Sequence, residues 1–553
     1  MPKPMSICGT AAAALLAAML VTGTAAQERH LLTGHVPAQA AEAAVVGRLP
    51  STNSLNLAIG LPLRDQPGLS RLVQDISDPA SSNYRHYLTP EQFDERFGPT
   101  EADYQAVIAF AKAHNLAVTA THPDRMLLDV TGSVADVESA FQITLLTHQH
   151  PTEARTFYAP DTVPSVEANV PVLDISGLSN FRVPHPKNRK PVPLARAENP
   201  KPKATGSWPG GQFIGNDFRA AYAPGVTLTG TGQMIGLVEF DGYHPGDITD
   251  YESIANLPNV PLQIVLLDGF DGVPTTDANS GNAEVALDIE MVIAMAPGLS
   301  SVVVYEAGPN GLANDVLSAM STNTAVKQFG CSWSFGTTPR ATMDGLFQKL
   351  AVQGQSFFNA SGDSGAFIGD WPEPDDDPYI TQVGGTALAT CATNGPWLSE
   401  TAWNAPDWWI ASSGGYTANY SIAATATWQQ GIDMSSTRAR PHCGTSPMSL
   451  WWPTIFLLWL TTASRKYPVA PARQSSCGPP LTRWSTSRPL PADSPRLASS
   501  TPPSMPSASP PVIPRSSTTP PLATTVRVGP PPSFSLFPAT TFAPAGVPRL
   551  AGA

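Results

Sequence analysis

Five continuous apolar runs, at residues 234–239, 261–267, 301–305, 326–332 and 356–360, constrain the fold of this chain more than any other feature. They do not alternate apolar with polar positions, and helical stretches separate them. They therefore read as strands of a parallel sheet covered on both faces, an α/β domain. With 553 residues, 42% of them hydrophobic, the chain has room for that domain and another. The domain spans residues 210–436. Beyond about Ser436 the order stops, and residues 437–553 are irregular clusters of Pro, Ser, Thr and Arg, expected to be disordered. A sheet buried on both faces needs all its strands, so this one is expected to stay incomplete, with an unpaired edge.

Upstream, residues 27–183 mix short strands with amphipathic helices. Residues 55–59, 125–130 and 142–147 read as strands, and 68–76, 100–114 and 134–141 as helices, the second of these beginning at an N-cap threonine, Thr100. Such a mixture predicts a compact α+β domain built on an antiparallel sheet. Residues 184–209, rich in Pro, Lys and Arg, read as an extended linker open to proteolysis, because nothing in them compensates for desolvating so many charges. Residues 1–26 form a secretory signal: Lys3, an apolar run through Val21, then small residues before Gln27. That run is too short for a membrane span, as is residues 450–460, which contain Pro453. An exported, extracellular protein follows.

A net charge of −12 gives no electrostatic reason to expect a nucleic-acid or anionic-membrane partner. Cys331, Cys391, Cys443 and Cys477, which remain once Cys8 leaves with the signal, have spacings that fit neither a zinc site nor a dense disulfide framework, and no pairing is assigned.

The chemistry concentrates in two segments. In NAEVALDIEMVIAMAP, residues 282–297, Asn282 can cap a helix on which Glu284 and Asp288 stand four residues apart, on one face, among apolar neighbours. Two ionised carboxylates at that spacing in a core would be costly, so they would have to share protons. The alternative is a solvated acidic face with Glu290 as its third member. In FFNASGDSG, residues 357–365, a strand runs into a tight turn presenting Asp363 at its C-terminal end, where open α/β sheets carry their sites. Gly-Asp-Ser-Gly imitates the nucleophile motif of chymotrypsin-like proteases. That role needs a histidine base, and after the linker only His244 and His442 remain, neither in a suitable context, so Ser364 is read as a decoy.

Together these residues resemble the sedolisin (kumamolisin-like) family of serine-carboxyl peptidases, whose fold is subtilisin-like with glutamate in place of histidine. Glu284 and Asp288 in E-V-A-L-D-I-E look like the family's base and its orienting carboxylate, and Asp363 in S-G-D-S-G matches its oxyanion aspartate. Glu239 in L-V-E-F and Trp333 in C-S-W-S match positions that extend the carboxylate network. YRHYLTPEQFDERF, residues 84–97, and LLDVTGSVADVESAF, residues 127–141, are similar to the family's activation prodomain. The resemblance covers roughly residues 35–436 and implies an acid-acting endopeptidase, made as a monomeric zymogen inhibited by its own prodomain and acting on polypeptide substrates. It also implies calcium as a cofactor, bound in the C-terminal half.

The family's nucleophile lies in Gly-Gly-Thr-Ser between a strand and a helix. The chain's Gly-Thr-Ser ends at Ser446, in R-P-H-C-G-T-S-P-M-S, and carries neither element, so Ser446 is read as a second decoy. Back-translated with codons allowed their usual degeneracy and read one base upstream, residues 443–456 can yield L-R-N-V-P-D-V-S-L-V-A-D-N-I. In the same frame residues 468–488 can yield G-G-T-S, and residues 492–508 can yield G-L-P-T-V-G-F-I-N-P-A-I-Y-A-I-G, both similar to the family's C-terminal half. A one-base slip near Ser436 is inferred, with the lost serine codon straddling Pro471 and Ala472 and the calcium site lost with it. Two functions remain: a peptidase inactive in this frame, and a secreted non-catalytic binding protein on a partial peptidase fold.

Overall fold

A computed structural model describes residues 28–187, 206–208, 211, 213–277, 280–368, 373–405, 410–417 and 444–445. Residues 1–26, most of the linker and almost all of the stretch after 417, Ser446 included, lie outside the described residues.

The N-terminal part is the expected α+β domain. Strands β1 (Ser54–Gly60), β2 (Ala117–Thr121), β3 (Leu127–Ser133) and β4 (Asp174–Ser176) form an antiparallel sheet in the order β2-β3-β1-β4. Helices α1 (Gln66–Ser77), α2 (Glu101–Ala113) and α3 (Val134–Phe141) accompany it. Thr100 caps α2 as expected: it accepts from Asp103 N–H while the Asp103 carboxylate accepts from Thr100 N–H, which satisfies two of the N–H groups a helix start leaves bare. The core is Leu57, Ile59, Val107, Phe110, Leu128, Val130, Val137 and Phe141.

After the linker the apolar runs become a six-stranded, wholly parallel sheet. Its strands are β6 (Met234–Glu239), β7 (Leu262–Leu266), β8 (Ser301–Glu306), β9 (Gln328–Cys331), β11 (Ser356–Ala360) and β13 (Thr381–Val383), in the order β7-β8-β6-β9-β11-β13. Two short strands also border the site, β5 (His185–Pro186) and β10 (Trp333–Ser334), and β12 (Ser364–Ile368) follows the Asp363 turn. Helices α4 (Asn282–Met295), α5 (Ala313–Thr322) and α6 (Arg340–Val352) contribute Val285, Ile289, Val316, Leu317, Leu346 and Leu350 to the same core as Leu237, Val304 and Phe329 of the strands. Central strands buried in this way explain the unbroken apolar runs.

Three details depart from the sequence reading. Asn282 does not cap α4: the cap position is Gly281, where a β-carbon would come within 2.2 Å of the Trp333 ring, and the Asn282 amide instead donates to the Thr275 carbonyl at 2.9 Å. The linker is not extended and open from its start, because His185 and Pro186 pair with β10 and Lys187 is buried. Gly444–Thr445, directly before Ser446, forms a short strand against Tyr416–Thr417, where neither strand nor helix was expected.

The two halves dock through buried polar contacts. Lys349 of α6 reaches Asp124 at 2.6 Å, both side chains about 1% exposed. Asp174 of β4 accepts from Thr342 N–H at 3.0 Å and Thr342 Oγ1 at 2.6 Å. Since Pro339, at the N-cap of α6, has no side chain able to cap it, the N-terminal domain supplies one.

Candidate active site

β6, β9 and β11 are neighbours, with Val238 level with Cys331 and Cys331 level with Asn359, so their carboxyl ends open on one edge of the sheet. Glu239 closes β6; Ser332 and Trp333 follow β9; Asp363 follows β11 after a turn at Gly362, whose φ of +95° favours glycine. The turn is pinned by Ser413, whose N–H donates to the Gly362 carbonyl and whose hydroxyl accepts from Ser364 N–H, both at 2.8 Å. Asp363 is buried and Ser364 is exposed.

Helix α4 brings the acidic pair to the same edge. Glu284 is 4% exposed, Asp288 0% and Glu290 1%, so the solvated acidic face does not form. Trp333 Nε1–H donates to Glu239 Oε2 at 2.7 Å, and Ser332 O–H donates to Asp288 Oδ1 at 2.9 Å. Burial pushes Glu239 well above the usual carboxylate range, the nearby Asp288 charge pushes the same way, and the Trp333 bond only partly opposes them. Burial and the adjacent Glu284 charge likewise hold Asp288 well above its ordinary value, against the Ser332 bond. Burial and like charge thus both favour the neutral forms of Glu239 and Asp288. Asp363 stands on the far side of β9 from Glu239, and the segment ending at Lys187 lies beside both β9 and the Asp363 turn, against Ser332 and Gly362.

Sequence reasoning missed three members of this region. Asp241 accepts from Gly242 N–H, Thr275 N–H and Oγ1–H, Ser280 O–H and Gly281 N–H, and so fixes the loop that launches α4. Ser332 holds Asp288, and Glu306, ending β8, is raised to about 7 by burial and then by the Asp241 charge. The clue for Asp241 was its place two residues after Glu239 at a strand end, where functional loops begin. Among the described residues no group of three or more His, Cys, Asp or Glu side chains could hold a metal ion. No described helix is long and apolar enough to cross a membrane.

Residues 41–181 match the family model described as "Pro-kumamolisin, activation domain". The chain is similar to xanthomonalisin from Xanthomonas sp. (strain T-22), 25% identical over 460 residues, covering 72% of this chain but 54% of that protein. It is 29% identical over 444 residues to kumamolisin from Bacillus sp. (strain MN-32), covering 76% of each. Among solved structures, a Pseudomonas sedolisin described as a serine-carboxyl proteinase aligns with a TM-score of 0.36 and 21% identity, over 46% of this chain and 83% of that one. The chain thus spans about half the length of the first of these relatives.

Proposed function

Because the chain belongs to the sedolisin family of serine-carboxyl peptidases, we propose that it descends from a secreted, acid-acting endopeptidase, built as a monomeric zymogen, and that its present reading frame omits the nucleophile. The observation that carries this reading is the buried Glu284, Asp288 and Glu239 cluster at the carboxyl ends of parallel strands, with Trp333 and Ser332 donating into it. In the restored frame a serine attacks a peptide carbonyl and Glu284 takes its proton. Asp288 orients Glu284, while Asp363 in its neutral form donates to the oxyanion. A carboxylate base and a neutral carboxyl donor coexist only in acid, since free glutamate titrates near about 4.3.

The N-terminal domain supports the zymogen reading, because residues 182–187 leave it directly to pair with Trp333–Ser334. Ser364 and Ser446 have no part in this chemistry. A non-catalytic secreted binding protein is the second reading, favoured for the chain in its present frame by the want of a nucleophile between a strand and a helix. Calcium then belongs to the segment that only the restored frame encodes.

Asp363 tests the proposal. Asparagine keeps a donor at every pH, whereas aspartate donates only when protonated. In the frame-restored enzyme Asp363→Ala should lose about 3 kcal/mol of transition-state stabilisation, a factor of about 150. Asp363→Asn should lose less and should retain more of its rate as the pH rises. Equal losses in kcat/KM for both variants would make Asp363 a structural residue.

A further inference from the structure

The first linker residues are held as a bound peptide. His185 lies opposite Ser334 and Pro186 opposite Trp333 in an antiparallel pairing, and Lys187 N–H donates to the Ser332 carbonyl at 3.0 Å. Upstream, Thr337 N–H donates to the Arg182 carbonyl at 3.0 Å, and the Arg182 side chain reaches Glu373 at 3.1 Å. Strand addition of this sort holds any extended chain by its backbone, so selectivity has to come from side-chain pockets.

One such pocket is filled. Lys187 Nζ donates to the Ala360 carbonyl at 2.6 Å and pairs with Asp375 Oδ1, which also accepts from Asn359 Nδ2 at 2.8 Å. Lys187 is 6% exposed and Asp375 0%. Lysine is almost never buried so completely without a partner, and a buried carboxylate left without its cation is strongly unfavourable. The lysine also abuts the turn bearing Asp363: its Cβ is 3.9 Å from where a β-carbon on Gly362 would stand.

We propose that Asp375 makes the pocket beneath the Asp363 turn a subsite for the lysine or arginine side chain of a polypeptide lying antiparallel on Trp333–Ser334, with Lys187 as its built-in occupant. The substrate class so named rests on the peptidase reading: the residue in this pocket is the one whose Cβ packs beside the Asp363 turn at Gly362, which selects polypeptides that place a basic residue there. An aliphatic side chain would leave Asp375 buried without its cation, and an acidic one would add a like charge to it. Burial raises the Asp375 carboxyl to about 6 against the pull of Lys187, so with Lys187 in place it is ionised at pH 7.5.

The test is hydrogen exchange of the 182–187 backbone in the full chain at pH 7.5, followed by mass spectrometry. Protection is expected in the unaltered chain and in Lys187→Arg. Lys187→Leu, Lys187→Glu and Asp375→Asn should each exchange this segment roughly 30-fold or more faster, the scale for removing one partner of a buried charge pair. Exchange within α6 reports whether the domain stays folded. The two substitutions at Lys187 lie outside the sheet, so they decide the matter even if Asp375→Asn unfolds it. Protection in Lys187→Leu equal to that of the unaltered chain, or none in the unaltered chain, would overturn the subsite. Because exchange reads no hydrolysis, an inactive frame-restored enzyme would count against the peptidase reading and leave this result standing. An active enzyme with an unselective segment would remove the subsite alone.

Discussion

In the frame-restored chain, Glu284→Gln is expected to lower kcat/KM for denatured protein near pH 4 by about 10⁴-fold or more, the scale on which nucleophilic hydrolases lose rate when their base is removed. Glutamine matches glutamate in shape but cannot accept the nucleophile's proton. Of its described acidic neighbours, Asp288 is engaged by Ser332 and Glu239 by Trp333. The fold should survive, because a neutral amide at a position only 4% exposed is less costly to bury than a carboxylate among like charges. Thermal unfolding checks that condition alongside the kinetics. A variant that keeps its rate would remove Glu284 from the mechanism.

The second large effect is on stability. Glu239 and Asp288 are raised well above their ordinary values by burial, as are Asp315 at the domain interface and Asp377. Carboxyls raised by folding contribute stability that is fully present below the pKa of the unfolded chain, about 4, and that is lost as pH rises toward the folded value. Glu306, raised to about 7, extends the loss to neutral pH. Each such proton contributes a slope of about 1.4 kcal/mol per pH unit across its window. The parallel-sheet domain should therefore be most stable in acid, with a thermal midpoint that falls between pH 4 and pH 8, and Glu239→Gln should flatten the fall.

His35 acts in the opposite sense within the N-terminal domain. Its neutral Nε2 accepts from Ile175 N–H at 2.9 Å, and burial lowers its pKa against the pull of Asp174. That contribution is present above about pH 6.5 and is lost as the pH falls through the lowered value. Acid therefore removes the His35 contribution beside Asp174 while it tightens the carboxyl cluster. A midpoint that rises steadily with pH for the parallel-sheet domain would contradict this.

The parallel sheet was legible because strands buried on both faces leave unbroken apolar runs, and the Asp363 turn because Gly362 follows such a run. Glu284 and Asp288 stood out as charges in an apolar helix, yet their burial was undecided until Gly281 packed against Trp333 and closed that face. What escaped depended on partners far along the chain. Lys187 looked like one more solvated linker charge because its counterion, Asp375, comes 188 positions later. Asn282 has the side chain of a good cap, but the tertiary contact at Gly281 and the anchor supplied by Asp241 set the helix start instead. Asp174 capping a helix of the other domain has no local signature at all.

The most direct measurement is hydrolysis of a denatured protein near pH 4, a value set by the carboxylate range, by two products compared side by side: the chain in its present frame, and one in which the slip near Ser436 is corrected. No turnover is expected from the first, and from the second turnover that is lost in Glu284→Gln. Turnover by the chain in its present frame that Ser446→Ala abolishes, or a corrected chain that stays inactive though folded, would contradict a peptidase whose nucleophile was lost to a frame slip.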